Sequence, residues 1–471
     1  MDAAHRSIQG TAIGNFMEWY DFSLYSYTAT TLAQVFYPGN TSSTGNLIAT
    51  FGTLTAAFGV RPIGGFIFGP LGDRIGRKRV LMITIVLMAA STTATGLLPG
   101  YGTVGVWAPI LLVVIRVCQG LSTGGEYVGA MTYVDEHAPD RKRGMMAGFL
   151  PMGTLSGYVA GAGLVTALQV LLSTSDMTSW GWRLPYFLGA PLGLAALLMR
   201  LRIEESPDYE EIGEDERTTS GREQFRKTVL GQWKALVLCV CLELTISVVS
   251  YMTTGYLPTY LKKTVGLPDN PALVMLLIVL VILMASVVFV AKLSDRIGVK
   301  PLMWTGCALL VTASIPAFLL MRSGGYPTKF AGVLIVGLTL LCFNSVEPAT
   351  LPSLFPTNVR YGAVSVAYNI AVSAFGGPTP LIAESLVSST GDALMPAYIL
   401  MFAGLVGAAT LFFTPEVAGR RLPGSGPAVE SEEEARALIG AERDSRPAPQ
   451  SALRSARRRP AAPPRRRTRG G

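Results

Sequence analysis

Gly69-Pro-Leu-Gly-Asp-Arg-Ile-Gly-Arg-Lys-Arg-Val-Leu81 is a charged, glycine-punctuated turn set between two long apolar runs, roughly 48–68 and 80–98. Each run has about the 20 residues that a helix needs to cross a bilayer, so the turn is an interfacial loop. Arg74, Arg77, Lys78 and Arg79 stand together in it, and basic residues in short loops mark the cytoplasmic side of a membrane. Gly69, Gly72 and Gly76 let backbones cross closely or take positive φ, while Asp73 can face a helix N-terminus or an arginine of a neighbouring helix. Such a loop is suited to locking and unlocking.

A degenerate copy, Lys292-Leu-Ser-Asp-Arg-Ile-Gly-Val-Lys300, follows a later apolar run. Asp295, Arg296 and Gly298 there correspond to Asp73, Arg74 and Gly76, which makes the chain two related halves. The pattern G-x-L-x-D-R-x-G-R-K resembles the signature between the second and third helices of the major facilitator superfamily. The resemblance implies an all-α membrane protein with twelve transmembrane helices in two pseudo-symmetric six-helix halves.

Composition agrees with a polytopic membrane chain: of 471 residues, 50% are hydrophobic and only 15% charged, and mean hydropathy is +0.41. The formal charge of +8 is concentrated at the end, since residues 415–471 hold 13 Lys+Arg and 7 Asp+Glu and leave the membrane body nearly neutral. Cys118, Cys239, Cys241, Cys307 and Cys342 all lie in apolar runs, which argues for packing rather than disulfides or a metal site. The two histidines, His5 and His137, are far apart in polar contexts, and no metal or cofactor is implied. The first apolar run carries Glu18 and Asp21, so it does not read as a cleavable signal peptide.

Helices are expected at about 10–36, 47–71, 80–99, 106–134, 144–172, 183–201, 234–261, 272–294, 300–321, 329–354, 361–388 and 394–414. Loops that this pattern places inside contain 18 Lys+Arg and those outside contain 5, so both termini are expected in the cytoplasm. The expected domains are a six-helix bundle over 1–201, a mixed-charge cytoplasmic linker over 202–233, a second bundle over 234–414, and a tail over 415–471. Most of that tail is expected to be disordered beyond a short acidic helix ended by Pro447. Its Arg/Pro-rich remainder suits anionic lipid headgroups rather than nucleic acid.

The ionisable residues inside the membrane carry the chemistry. Glu18 and Asp21 share a face of the first helix, and each costs about 2.5–3.5 kcal/mol near the membrane centre unless it meets a cavity or a partner. In the fourth helix Arg116, Gln119 and Glu126 interrupt an apolar span, and the buried guanidinium needs an anion. The first-helix acids or Glu126 are candidates, and protonating the acid would open such a pair. Trp19, Tyr20 and Tyr25 add aromatic surface, and Tyr251, Tyr256 and Tyr260 punctuate the seventh helix, where either a cation cage or plain packing fits. In the fifth helix the Gly153, Gly157 and Gly161 ridge reads as packing. The tenth helix holds Asn344, Glu347, Pro348 and Pro352, and the eleventh holds Tyr368, Asn369, Pro378 and Pro380, so both should bend where they line a cavity. Glu347 reads either as a second coupling acid or as an accessible residue near a helix end.

The segments GNFMEWYDF, RPIGGFIFGPLGDRIGRK, RVCQGLSTGGEY, DRKRG, WGWRLPYF, LPTYL and LFPTNVRYGAVSVAYN together resemble the metabolite:proton symporter family. PGYGTVGVWAPILLV and GDALMPAYILM are most similar to its proline and glycine betaine branch. The resemblance implies a non-enzymatic secondary transporter of the cell membrane, driven by the proton gradient and acting on a small molecule by alternating access. Coupling is expected through Asp21, Arg116, Glu126 and Glu18. Substrate contacts are expected from Trp19, Tyr20, Tyr25, Gln119, Tyr127, Tyr251, Asn344, Tyr368 and Asn369. The implied cytoplasmic gate comprises Gly69, Asp73, Arg74, Gly76, Arg77, Asp295 and Arg296. Two features depart from the osmolyte branch: no sustained heptads precede Pro447, and Glu347 places an acid where a neutral residue is expected. A proton symporter of a dicarboxylate or other organic acid, with Arg116 holding a substrate carboxylate, is the alternative within transport. A non-transporting membrane sensor is the alternative of another class. A functional monomer is compatible with all of these.

Overall fold

The computed structural model describes residues 2–37, 43–201, 231–426 and 428, and among them the chain is helical with no strand. Twelve long helices follow one another: α1 (Asp2–Phe36), α2 (Ser43–Ile75), α3 (Arg77–Leu97), α4 (Trp107–His137), α5 (Arg143–Leu171) and α6 (Thr174–Leu201), then α7 (Trp233–Lys263), α8 (Asp269–Ile297), α9 (Val299–Arg322), α10 (Tyr326–Thr350), α11 (Arg360–Thr390) and α12 (Met395–Phe413). Helices α3 to α12 are each long and apolar enough to cross a bilayer. α1 and α2, at 35 and 33 residues, have more than the required length. The outer surface displays large apolar side chains such as Phe289, Phe402 and Phe412, a surface matched to lipid rather than water.

The two-halves expectation appears in the packing. α1 lies against α5 and α7 against α11; α2 packs on α4 and α8 on α10; α3 packs on α6 and α9 on α12. Every pair recurs when the helix number is raised by six. The seams between the halves obey the same rule, because α2 meets α11 where α8 meets α5. Gly76 links α2 to α3 at φ 99°, ψ 149°, and Gly298 links α8 to α9 at φ 97°, ψ 158°. Only glycine takes that backbone without strain, so the two signature turns are one device used twice.

Both seams close on the face that carries these turns, the basic face. Gly69 lies against Gly362 and Ser365, and Gly72 against the ring of Tyr361, so the glycines of α2 let α11 approach closely. Tyr361 Oη donates to the Gly125 carbonyl at 2.7 Å, and Asn369 Nδ2 donates to the Gly124 carbonyl at 2.6 Å, which ties α11 to α4. At the other seam the Asp295 carboxylate accepts from the backbone N–H of Gly144 at 2.7 Å and of Met145 at 2.9 Å. These are orphan donors of the first turn of α5, where the helix dipole also favours an anion. The side chains of Asp73 and Arg77, the first-half counterparts, lie outside the described residues, as do residues 202–230 of the expected linker and 429–471 of the tail.

The start of the tail, residues 415–426 and 428, is among the described residues and packs on the helix bundle. Glu416 accepts from Val299 N at 2.9 Å and Lys300 N at 3.0 Å, capping α9, and from its own neighbours Val417 and Ala418. The chain then crosses the basic face. Arg143 Nη1 donates to the Arg420 carbonyl at 2.8 Å, Arg360 Nη2 to the Pro423 carbonyl at 2.9 Å, and Asp140 N to the Ala428 carbonyl at 3.0 Å. Residues 415–426 and 428 thereby strap the α4–α5 turn of one half to α9 and α11 of the other.

Candidate functional site

A cavity at the junction of the halves is lined by Trp19 of α1, Tyr127 of α4 and Tyr158 of α5 on one side. Glu243 and Tyr251 of α7, Asn344 and Glu347 of α10, and Tyr368 of α11 line the other. Its volume is about 40 Å³ on a scale where one water needs roughly 10–15 Å³. It therefore has room for water-sized molecules only, and a larger solute requires the halves to part.

Local sequence explains the lining. Pro348 has no N–H to return to the Asn344 carbonyl, and α10 breaks at Ser345–Val346, which turns Asn344 and Glu347 inward. α7 passes through a π-helical turn at Met252–Tyr256 just beyond Tyr251, and α11 does so at Val372–Gly376. Trp19 is fixed by its indole N–H, which donates to Asn15 Oδ1 at 3.1 Å; Asn15 Nδ2 in turn donates to the Leu150 carbonyl at 2.6 Å and to Thr154 Oγ1 at 2.7 Å.

Aromatic rings form the walls. Trp19 lies 5.3 Å from Tyr158 and 6.5 Å from Tyr127, Tyr127 lies 5.3 Å from Tyr368, and Tyr251 packs edge-on against Phe58 at 5.4 Å. The cage is thus drawn from several helices and not from successive tyrosines of α7. Tyr256 Oη instead donates to Glu384 at 3.3 Å, and Tyr260 Oη to the Ala393 carbonyl at 3.0 Å.

The first half pairs its acids with arginines. Arg61 meets Glu18 at 3.0 Å, Arg116 meets Asp21 at 2.9 Å, and Arg200 grips both oxygens of Glu126, which also accepts from Thr84. Of the partners open to Arg116, the structure selects Asp21, and Glu126 belongs to Arg200 instead. Arg116 also sits over the Tyr25 ring, 4.2 Å from its centroid. Each pair is buried, so removing one member leaves an uncompensated charge. Glu243 and Glu347 of the second half, 2% and 4% exposed, have no ion pair among the described residues. Ser247 Oγ donates to Glu243 Oε1 at 2.5 Å, while Glu243 Oε2 and Glu347 Oε1 find no hydrogen-bond donor there.

The structure therefore gathers Trp19, Tyr127, Tyr251, Asn344 and Tyr368 of the sequence-derived substrate set around one cavity. It leaves four others out of the lining. Tyr20 Oη donates to the Pro185 carbonyl, Tyr25 Oη to the Thr50 carbonyl, Gln119 Nε2 to Thr92 Oγ1, and Asn369 to the α4 backbone. Of the gate set, Gly69, Gly76 and Asp295 serve the seams and turns, and Arg74 and Arg296 are exposed on the basic face. Sequence reasoning missed Arg61, Arg200, Asn15 and Glu243. A lone acid in the apolar run VLCVCLELTISVV was a signal for Glu243; Arg200, at the end of a helix beside the charged linker, gave none.

The sequence profile described as Major Facilitator Superfamily matches residues 11–379. The chain belongs to the major facilitator superfamily. As a member, it is a multi-pass membrane transporter and not an enzyme. Among curated proteins, it is 38% identical over 442 residues to the proline/betaine transporter of Salmonella typhimurium, covering 92% of this chain and 88% of that one. It is also 38% identical over 441 residues to the glycine betaine/proline/ectoine/pipecolic acid transporter of Dickeya dadantii, with the same coverage. Among solved structures it superposes on the proton:xylose symporter XylE with a TM-score of 0.72 at 19% identity, covering 89% of this chain and 98% of that one. The human organic anion transporter MFSD10 superposes with a TM-score of 0.61 at 15% identity, covering 87% and 99%. At these identities the structural likenesses speak to the superfamily fold, which has twelve helices in two halves, as here.

Proposed function

We propose that the protein is a proton symporter of a small zwitterionic osmolyte of the proline or glycine betaine type, working by alternating access in the cell membrane. The observation that carries this reading is the 38% identity to a proline/betaine transporter over 92% of the chain, and the aromatic and acidic cavity is chemically suited to such a solute. The basic face is the cytoplasmic one, with both termini on it. Its seams are closed while the cavity lies between the halves, and an inward-open state requires the α2–α11 and α5–α8 contacts to part.

Asp21 and Arg116 are the coupling pair in this reading. Asp21 Oδ1 and two nitrogens of Arg116 have no hydrogen-bond partner among the described residues, so the pair has room to exchange partners when the acid takes a proton. Glu126, held by Arg200 and Thr84, serves the fold of the first half. The six-helix units are 1–201 and 234–414, joined by 202–233, and the Arg-rich end of the chain binds anionic headgroups. A functional monomer is compatible with this reading, which calls for no cofactor.

The test is uptake of labelled glycine betaine, proline and 2-oxoglutarate into proteoliposomes, with and without an inward proton gradient. Gradient-stimulated uptake of a zwitterion is the expected result. Uptake of 2-oxoglutarate alone would assign the chain to organic acids, and no flux of any of the three would sink the transport reading.

A further inference from the structure

We propose that Glu243 and Glu347 form a binding site for an organic ammonium group, with the second negative charge of the pair cancelled by one proton. As the ammonium end of the solute's site, it rests on the zwitterion reading above, and its chemistry is tested separately from it.

The first-half acids Glu18, Asp21 and Glu126 each face an arginine. Glu243 and Glu347 line the cavity that the halves share, both nearly unexposed, and each aims there an oxygen with no donor among the described residues. Two uncompensated carboxylates in one low-dielectric cavity are prohibitive, so positive charge must enter with the ligand or as protons. The titratable and charged neighbours of the pair are Tyr127, Tyr251, Tyr368, Cys239 and the Glu18–Arg61 ion pair. The guanidinium among them is already matched by Glu18, so no neighbour supplies spare positive charge.

Shape selects the kind of cation. Trp19, Tyr127, Tyr158, Tyr251 and Tyr368 offer ring faces around the two acids, and such faces attract alkylated ammonium by about 0.5–2 kcal/mol per contact. A metal ion would instead want a larger set of charged ligands, and no group of three or more His, Cys, Asp or Glu side chains gathers among the described residues. One ammonium and one proton against two carboxylates leave this end of the occupied site neutral, which lowers the cost of burying the charges. Glu347 is the acid that departs from the osmolyte pattern, and here it supplies the second half of this site.

Binding to the purified full-length chain in detergent is read by thermal shift, with tetramethylammonium and its carboxylate-bearing carbon isostere 3,3-dimethylbutyrate as probes at matched ionic strength. Tetramethylammonium should stabilise the protein and 3,3-dimethylbutyrate should not. The double variant Glu243→Gln/Glu347→Gln should lose the shift and weaken the apparent affinity at least 100-fold. Because Gln mimics a protonated acid, one single variant should bind within about threefold of the parent and the other at least tenfold more weakly. Equal loss in both singles would overturn the one-proton part, and an unaltered shift in the double variant would overturn the site. Should the double variant not fold, equal stabilisation of the parent by both probes would overturn it as well. Betaine uptake that survives in the double variant sinks this proposal and leaves the transport reading intact. No uptake, with the tetramethylammonium shift present and dependent on both acids, does the reverse.

Discussion

Arg360, at the first turn of α11, donates to Glu136, near the end of α4, at 2.9 Å with both side chains sealed from solvent. This ion pair joins the two halves on the basic face, beside the strap. Arg360 also donates to the Phe355 and Pro423 carbonyls and to Thr357, so a single guanidinium gathers a helix start, a turn and the chain end. Glu136→Gln should leave that guanidinium buried without its counter-charge, at a cost of about 3–5 kcal/mol to the closed face. Hydrogen exchange of segments 140–148 and 356–362 should rise by more than tenfold. Unchanged exchange in both segments would show that the pair does not hold the halves together.

Asp21 and Glu126 are both membrane acids paired with arginine, yet they should respond differently to neutralisation. Asp21→Asn should leave zwitterion binding within about threefold of the parent while removing at least tenfold of the gradient stimulation, because its pair has unused hydrogen-bonding capacity. Glu126→Gln disrupts a grip by Arg200 and Thr84 in the core of the first half and should lower the melting temperature, with coupling retained in the folded fraction. Gradient stimulation that persists in Asp21→Asn would remove it from the coupling role.

Gly76 and Gly298 hold nearly the same left-handed backbone, at φ 99° and 97°. Replacing either with alanine should cost on the order of 1–3 kcal/mol in backbone strain, and the loss at Gly298 should be the larger because its added Cβ also meets the Glu416 carboxylate that caps α9. Gly72→Val acts by another route: its added carbons meet the Tyr361 ring and should hold the α2–α11 seam open. A fully active Gly72→Val protein would argue against seam closure as a step of the cycle.

The fold was legible because its signals are long and repeated: apolar runs of helical length, the basic bias of alternate loops, and Asp-Arg-x-Gly at two places six helices apart. The site was legible only in part. Trp19, Tyr127 and Tyr368 were found because aromatic and acidic residues stand out in apolar helices, but periodicity does not say which of several buried groups converge. Arg116 had three possible partners in the sequence, and the crossing of α1 over α4 decides for Asp21. Tyr20 and Tyr25 share a helix with Trp19, yet their hydroxyls serve backbone carbonyls at Pro185 and Thr50. Arg200 looked like the start of a charged linker because its partner, Glu126, is 74 residues away. Glu243 and Glu347 become a pair only when the break at Ser345–Val346, ahead of Pro348, turns α10 toward α7.

Glu416 gives the strap a defined pH response. Burial pushes its carboxyl upward, but the N–H groups of Ala418, Val299, Lys300 and Val417 together outweigh burial and hold it below its ordinary value of 4.5. A depressed acid contributes stability above its unfolded value and loses it as pH falls through the folded one. The cap on α9 should therefore be intact at neutral pH and fade only in acid below 4.5. Glu416→Gln removes the charge at every pH, so the melting temperature of the parent should exceed that of the variant by a constant margin between about pH 5 and about pH 8, and the margin should shrink below that range. The expected margin is a few degrees, in keeping with roughly 1–2 kcal/mol for charge-assisted bonds at a partly exposed helix start. A margin that widens toward acid would mean the carboxyl is protonated in the folded protein and does not cap α9 as an anion. A margin of zero throughout would show that the strap is held without Glu416, by contacts such as those of Arg143, Arg360 and Asp140.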